Sequence, residues 1–369
     1  MTTALQNIKV IELAAVLAGP SVGQFLAELG AEVLKIEPPS GDVTRSWRLA
    51  EEQPNQGRSA YFCAANWGKR SKCMDLREHV QQQELFALLA DTDILLMSYK
   101  PGDAAKFGLS PDVLLQHFPR LIIGEISGYG EADPRVGYDA IIQAEAGFTY
   151  LNGNNQEDFH KMPVALVDIL AAHQLKQGLL LALLERTQTG KGQRVHVALL
   201  DAAISALANQ ATNYLVGGQI PQPIGSEHPN IVPYGSIYTC ADGVKVVLAV
   251  GTDKQFASLC NALGITSMPQ WHTNLQRVKA REAINTALQN ALHQIESTYF
   301  LALCEAEQIP CGKVNQMDEV MRMAQSRKLL FAEEGLYGLR NAVFNTKPLN
   351  LSVPPVLNNE GTNTKGCTT

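Results

Sequence analysis

One acidic residue stands out in the sequence because its neighbours are apolar. Asp168 lies in the stretch KMPVALVDILAAHQLKQGLLLALL (161–184), between Val167 and Ile169. A charged carboxylate in apolar surroundings is unfavourable unless another group compensates for it. Asp168 is therefore expected either to cap a helix or to take part in a reaction.

The residues after Asp168 predict a helix that begins near Ile169 and places Asp168 at the N-cap or in the first turn. Small and apolar residues recur there at helical spacing, namely Ala171, Ala172, Leu175, Gly178, Leu179 and Ala182. A capping carboxylate contributes about 1 kcal/mol. The alternative is a nucleophile, which the unpaired N–H groups and the dipole of the helix would keep ionised. Taken alone, the segment favours the cap, because caps are common and nucleophilic carboxylates are rare.

Two basic segments offer positive charge to an anionic ligand. The first is NWGKRSKCMDLRE (66–78), whose basic residues are Lys69, Arg70, Lys72 and Arg77. Its pattern is typical of a solvated turn, but in an acidic chain it is also a candidate phosphate site. The second adds Lys100 and Lys106 just past a predicted strand, at the edge where α/β folds bind ligands.

Composition and motifs exclude several classes of protein. The net charge of -6 gives no electrostatic case for nucleic acid or for an anionic membrane. The seven cysteines are scattered and form no CxxC pair, which predicts a reducing cytoplasm and neither disulfides nor a zinc site. We expect no metal, since the histidines show no HExxH pairing, and no serine hydrolase, since GxSxG is absent. The first residues show no basic region followed by an apolar core and a cleavage site, so we expect no signal peptide, and no uninterrupted apolar run reaches the length of a membrane span.

Alternating strand-like and helical segments predict a parallel sheet with crossover helices. The predicted strands are Ile8 to Leu13, Ala31 to Ile36, Ile94 to Ser98, Leu121 to Ile126 and Arg194 to Val197. The first loop contains Gly19 but not the GxGxxG spacing of a dinucleotide site. A segment dense in Pro and Gly (219–235) predicts a linker, and a smaller α+β domain follows it. The polar tail from Asn358 is expected to fray.

Several motifs, taken in order, resemble the class III CoA-transferases. They are VLAGPSVGQFLAELGAEVLKIEPPSGDVTR (16–45), NWGKRSKCMDLR (66–77), SYKPGDAAKFGLSPDVL (98–114), PRLIIGEISGYG (119–130), GYDAIIQAEAG (137–147), VDILAAHQ (167–174), TGKGQRVHVALLDA (189–202) and IPCGKV (309–314). That family includes formyl-CoA:oxalate and carnitine CoA-transferases and the related α-methylacyl-CoA racemases. The resemblance runs from about Ile8 to about Leu351.

The resemblance implies an α/β fold with a large Rossmann-like domain, a smaller α+β domain and an interlocked homodimer. The large domain would combine residues 1–205 with a return segment at 316–369. A linker at 206–229 would lead into the small domain at 230–315. The resemblance thus implies a chain whose two ends build one domain.

The resemblance also implies the reaction. In such enzymes an aspartate in the position of Asp168 attacks an acyl-CoA thioester, and the acyl–aspartyl anhydride is converted into an aspartyl–CoA thioester. An incoming carboxylate then takes the CoA through a second anhydride. The substrates would be an acyl-CoA and a small carboxylic acid, for which the family suggests a dicarboxylate such as succinate. No permanently bound cofactor is expected.

The same motif matching implies which residues contact CoA. They are Leu17, Ala18, Met74, Arg77, Ser98, Tyr99, Lys106, Tyr138 and Asp139. Arg77 and Lys106 would hold phosphates. The racemases carry a histidine in the neighbourhood of Tyr138 as an acid/base group, so the tyrosine favours transfer over racemisation. The remaining alternatives are an acyl-CoA racemase or epimerase and a CoA-binding protein without catalysis.

Overall fold

The computed structural model describes residues 3–53, 55–344, 349 and 351–357. The tail that was expected to fray from Asn358 lies outside the described residues. The strands are β1 (Lys9–Leu13), β2 (Glu32–Glu37), β3 (Lys69–Cys73), β4 (Ile94–Met97), β5 (Ile122–Ser127), β6 (Arg194–Ala198), β7 (Tyr234–Thr239), β8 (Lys245–Ala249), β9 (Cys311–Lys313), β10 (Leu330–Glu333) and β11 (Leu336–Leu339). The helices are α1 (Ala18–Glu28), α2 (Ala60–Cys63), α3 (His79–Leu89), α4 (Pro111–His117), α5 (Asp139–Glu145), α6 (Phe148–Leu151), α7 (Leu166–Thr189), α8 (Leu199–Ser205), α9 (Ala208–Leu215), α10 (Asp253–Ala262), α11 (Asn274–Lys279), α12 (Arg281–Leu292), α13 (Ser297–Ala306), α14 (Met317–Arg322) and α15 (Ala324–Lys328).

The chain forms two compact units. Unit 1 comprises the described residues of Met1–Ala146, Pro163–Ala208 and Gln325–Thr369, and unit 2 those of Gly147–Met162 and Asn209–Ala324. The predicted boundaries had placed residues 147–162 in the large domain. Those boundaries stay a prediction, because compactness alone does not show which segments fold independently.

Unit 1 is built on a six-stranded sheet with the order β3-β2-β1-β4-β5-β6. Every pairing in it is parallel. The order reverses between β1 and β4, which places the ligand-binding crevice of such folds at the carboxyl ends of these strands. The prediction of an α/β, Rossmann-like parallel sheet is confirmed.

The basic segment after Asn66 is a strand, and the prediction of a solvated turn there is wrong. Lys69 begins β3 and pairs with Val33 of β2, and it is only 2% exposed. The sequence hid this strand because its side chains are charged rather than apolar. Burial is tolerated because the Lys69 ammonium reaches the Glu12 carboxylate of β1.

Helix α7 crosses unit 1 and carries Asp168 in its first turn. It packs against β5, β6 and α1. Gly178 lets the helix approach the sheet, since a Cβ there would lie 2.5 Å from Val195 Cγ1. In length and composition α7 could also cross a membrane. Its contacts with the sheet are those of a core helix. It begins at Leu166, earlier than the predicted start near Ile169.

Unit 2 contains the antiparallel sheet β7-β8-β9 and the helices α10 to α13. Leu248 of β8, Phe256 of α10 and Leu288 of α12 share one apolar core. Thr252 starts α10 with a capping box, in which its hydroxyl accepts from Gln255 N. The predicted α+β character of this part of the chain is therefore present in unit 2.

Candidate active site

Asp168 is a buried carboxylate for which the described part of the chain offers no positive partner. It is the third residue of α7 and is 8% exposed. Among the described residues, no ion pair or hydrogen bond to its side chain is found. A carboxylate in this position carries the full desolvation cost of its charge.

The helix is capped by Asp139, and the interpretation of Asp168 as the cap is wrong. Val167 N donates to Asp139 Oδ1 at 2.8 Å, whereas the N-cap residue Ala165 offers no side-chain hydrogen bond. The second oxygen of Asp139 accepts from Gln143 Nε2 at 2.7 Å. Asp139 begins α5, so it ties the start of that helix to the start of α7.

The surroundings of Asp168 disfavour its charged form. Burial, and then the negative charge of Asp139, raise the pKa of Asp168 to about 7. Desolvation and a like charge therefore oppose the ionised form, which the N–H groups and the dipole of the helix were expected to favour.

Two glycines bring Asp139 to this position. The loop after β5 folds back so that a Cβ on Gly128 would lie 2.6 Å from Gly137 Cα. Any side chain at either position would separate the two backbones. Tyr138, which is 53% exposed, and Asp139 follow this contact directly. The GYDA motif (137–140) can lie beside α7 because its first residue, Gly137, has no side chain.

Tyr61 belongs to the same electrostatic neighbourhood, and sequence reasoning missed it. It lies in α2, which Ser59 caps by accepting from Phe62 N at 2.9 Å. Burial, and then the charges of Asp168 and Asp139, raise the pKa of Tyr61. The phenol therefore stays protonated and available as a donor. In the sequence, a tyrosine beside Phe62 looks like an ordinary core residue.

The first loop, between β1 and α1, is joined to the end of β4. Ser98 Oγ accepts a hydrogen bond from Ala15 N at 3.1 Å. Val16 has a positive φ of 69°, a strained conformation for a β-branched residue that functional loops often hold. Leu17 is partly exposed and Ala18 is buried at the start of α1. Three of the expected CoA contacts thus meet at one edge of the sheet.

Of the other expected contacts, Met74 and Tyr99 belong to one apolar cluster. Met74 is 2% exposed and packs in the core. Burial raises the pKa of Tyr99 to about 12, and its ring packs against Phe107. Arg77 and Lys106 are exposed, and each forms an ion pair with a nearby acid, Asp75 and Asp103 respectively. Their role as phosphate ligands stays a prediction.

A buried network of charges holds the first loop, and no pattern in the sequence predicted it. Glu12 Oε1 accepts from both Lys35 Nζ and Lys69 Nζ at 3.0 Å. Lys35 Nζ also donates to Ala14 O at 2.7 Å, and Lys69 Nζ to Pro20 O at 2.9 Å. Both ends of the first loop are therefore fixed by buried ammonium groups.

Comparison with known proteins identifies the family. The sequence matches CoA-transferase family III over residues 5–355. The chain belongs to that family. It is 36% identical to a succinate–glutarate CoA-transferase of Agrobacterium fabrum, over 95% of this chain and 92% of the relative. It is 30% identical to a succinyl-CoA:mesaconate CoA-transferase of Haloarcula hispanica, over 86% of this chain and 82% of the relative.

A solved structure supports the same assignment. The crystal structure of a CAIB/BAIF family protein from Brucella suis superposes with a TM-score of 0.87 at 35% identity, covering 98% of each chain. The prediction of a family III CoA-transferase is confirmed. The enzyme uses a CoA thioester as substrate and transfers CoA between acids.

Proposed function

We propose that this enzyme moves CoA from an acyl-CoA to a small dicarboxylic acid, with Asp168 as the nucleophile. The similar enzymes from Agrobacterium and Haloarcula have names that include succinate or succinyl-CoA. These names support a dicarboxylate as donor or acceptor. The observation that carries the role of Asp168 is its burial in the first turn of α7, where the described residues supply no positive partner.

The reaction proceeds in four displacements at carbonyl carbon. The Asp168 carboxylate attacks the thioester, the C–S bond breaks, and an acyl–aspartyl anhydride and CoA thiolate form. The thiolate attacks the aspartyl carbonyl, which releases the donor acid and leaves an aspartyl–CoA thioester. The acceptor carboxylate displaces the thiolate to form a second anhydride, and the thiolate then attacks the acceptor's carbonyl. The product acyl-CoA leaves and Asp168 is again a carboxylate.

The surroundings of Asp168 suit these steps. A poorly hydrated carboxylate with a pKa of about 7 is a better nucleophile than a solvated one, and near neutral pH a substantial fraction of the molecules still carries the charged form. The same burial limits water, which would hydrolyse the anhydrides. Burial and then the charges of Asp168 and Asp139 raise the pKa of Tyr61, so its protonated phenol is the donor that we propose for the oxyanions of the tetrahedral intermediates.

Trapping tests the proposal. Incubation of the enzyme with succinyl-CoA and hydroxylamine should convert Asp168 to a hydroxamate and stop turnover, as read by peptide mass spectrometry. Asp168→Asn should lower kcat by at least about 1000-fold. The matched control is Asp201→Asn, because Asp201 is also the third residue of its helix but is exposed. Full transferase activity in Asp168→Asn would end the proposal.

An isotope experiment separates transfer from racemisation. With an oxygen-18-labelled acceptor carboxylate, one labelled oxygen should appear in the Asp168 peptide after a single turnover. A racemase would instead introduce solvent deuterium at the α-carbon of recovered acyl-CoA without exchange between acids. An inactive CoA-binding protein would do neither.

The remaining expectations belong to the proposal. We propose a cytoplasmic homodimer that acts without a permanently bound cofactor or metal, and without nucleic acid or membrane as partner. The CoA would lie along the edge formed by Leu17, Ala18, Ser98 and Tyr99. The junction of Ser98 with the first loop supports that placement.

A further inference from the structure

A cavity of about 450 Å³ lies in unit 1, beside α2 and β11. Its walls come from the segment before α2, from α2 itself and from β11, and Ala60, Leu336 and Leu339 contribute apolar side chains. Neither Asp168 nor Asp139 is among the described residues that line it. A mostly apolar cavity of this size is typical of a binding site for a small molecule.

Arg58 places a buried positive charge in the wall of this cavity. The residue is 8% exposed, and its Nε has no hydrogen-bond partner among the described residues. Its contact with an acid is the ion pair between Nη1 and Glu334 Oε2, whose 3.8 Å is too long for a hydrogen bond. Glu334 is itself exposed, so its carboxylate is well hydrated. The guanidinium therefore carries much of the cost of its burial without compensation.

Other buried arginines of unit 1 are fully engaged. Arg45 donates to both oxygens of Glu37 and to two carbonyl oxygens. Arg186 donates to the Asp93 carboxylate and to two carbonyl oxygens. A guanidinium has five N–H donors in a planar fork that fits a carboxylate. Arg58 is buried like these structural arginines, but its donors are left for an anion that enters the cavity.

The remaining charge in the wall favours a ligand with a single carboxylate. Glu52 also lines the cavity, and its Oε1 is fixed by a hydrogen bond from Ala60 N at 2.7 Å. Burial raises the pKa of the Cys63 thiol, while the charge of Arg58 lowers it and that of Glu52 raises it, so both charges lie near this thiol. A second carboxylate on the ligand would be repelled by Glu52 and would contact apolar side chains.

We propose that this cavity binds a monocarboxylate with a short apolar chain. The carboxylate accepts hydrogen bonds from the Arg58 guanidinium, and the chain contacts the apolar walls. The ligand displaces Arg58 from its long contact with Glu334. This site is separate from the one proposed around Asp168, and its ligand differs from the dicarboxylate proposed there as substrate.

Protection of Cys63 from alkylation tests the site, because its thiol is partly exposed and lines the cavity. Sodium hexanoate is titrated into the full-length protein without substrates, and iodoacetamide modification is followed by mass spectrometry of the tryptic peptides 59–69 and 73–77. Hexanoate should slow the modification of Cys63 but not of Cys73, a partly exposed thiol outside the cavity. Hexan-1-ol, which lacks the charge, should bind at least about tenfold more weakly. Succinate should also protect more weakly, because its second carboxylate meets Glu52.

Variants assign the binding to the guanidinium. Arg58→Gln should weaken the protection by hexanoate at least about tenfold. Glu334→Gln should strengthen it, because the competing carboxylate is gone. The matched control is Arg48→Gln, since Arg48 is an exposed cation of the same segment and should leave the protection unchanged.

Three results would overturn the proposal. They are equal protection by hexanoate and hexan-1-ol, undiminished protection in Arg58→Gln, and modification of Cys63 that hexanoate does not slow. The comparison with hexan-1-ol uses the parent protein, so it holds even if Arg58→Gln fails to fold. Asp168→Asn should bind hexanoate like the parent, which keeps this test independent of the proposed function.

Discussion

Unit 1 contains two groups of buried carboxylates with opposite surroundings. Glu12 contacts two lysine ammonium groups, and Glu37 forms a two-pronged pair with Arg45. Although burial opposes it, that pairing lowers the pKa of Glu37. Asp168 is buried to a similar degree but faces Asp139, and its pKa is raised to about 7. Burial is common to both groups, whereas the counter-charge is not.

The comparison indicates which buried charge serves structure and which serves chemistry. A carboxylate neutralised by fixed ammonium or guanidinium groups holds loops together, and the pairing makes it a poor nucleophile. A carboxylate left without such partners costs stability, and such costs concentrate at functional sites. The same electrostatic rules thus account for the rigid first loop and for the reactive Asp168.

The largest loss of stability is expected when the pairing of Glu12 with its lysines is broken. Glu12→Gln leaves the Lys69 ammonium buried without a carboxylate, which should lower the free energy of unfolding by about 3–5 kcal/mol. Glu32→Gln removes an exposed partner of Arg70 and should cost less than about 1 kcal/mol. Urea titrations measure both. Equal small losses would show that the network does not stabilise the fold.

The opposite result is expected at Asp168. Its folded-state pKa of about 7 exceeds the unfolded value of about 3.9, so ionisation penalises the folded state as pH rises from about 4 to 7. Asp168→Asn removes that penalty. The inactive variant should be more stable than the parent by on the order of 2–4 kcal/mol at pH 8 and equally stable at pH 4. Urea titrations across this pH range check it, and a less stable variant at pH 8 contradicts it.

Substitution of Asp139 should cause a smaller change, which appears in the pH dependence of kcat/KM. The acid limb of kcat/KM should rise through about pH 7, because the reaction needs the Asp168 carboxylate. Asp139→Asn keeps an oxygen acceptor for Val167 N but removes the like charge, so the limb should move to lower pH. Asp139→Ala should move it in the same direction and also cost about 1 kcal/mol of stability through loss of the cap. If the acid limb of kcat/KM stays at the same pH in both variants, burial alone raises the pKa of Asp168.

The smallest effect on stability is expected at the exposed cations. Lys106→Met removes a side chain that is 71% exposed, so unfolding should change by no more than about 0.5 kcal/mol. If Lys106 binds a phosphate of CoA, KM for acyl-CoA should rise about three- to tenfold. Arg70→Met is the matched control, since Arg70 is exposed but is not an expected CoA contact. Unchanged KM in Lys106→Met would remove it from the site.

Strand-forming segments of the sheet were predictable because their side chains are apolar. Runs such as those at 94–98 and 121–126 need only burial to become strands, and the structure has them there within a residue or two. β3 was not predictable in this way. Lys69, the basic residue of β3 that is buried, is stable in the interior because Glu12, which is distant in sequence, pairs with it.

The residues of the candidate site also fall into those that the sequence predicted and those that it did not. Asp168 was visible because a single acid in an apolar run is conspicuous, and the ordered motifs indicated its family. The cap at Asp139 and the contribution of Tyr61 were not visible, since both depend on loops that meet only when β5, α2 and α7 pack together.

By itself the sequence determined the family, the parallel sheet and the acidic residue at the start of α7, because these follow from local pattern and motif order. The tertiary structure decided which carboxylates are neutralised and which are not. Charge compensation depends on distance in space, and residues far apart in the chain, such as Glu12 and Lys69 or Asp139 and Val167, become neighbours only in the folded protein.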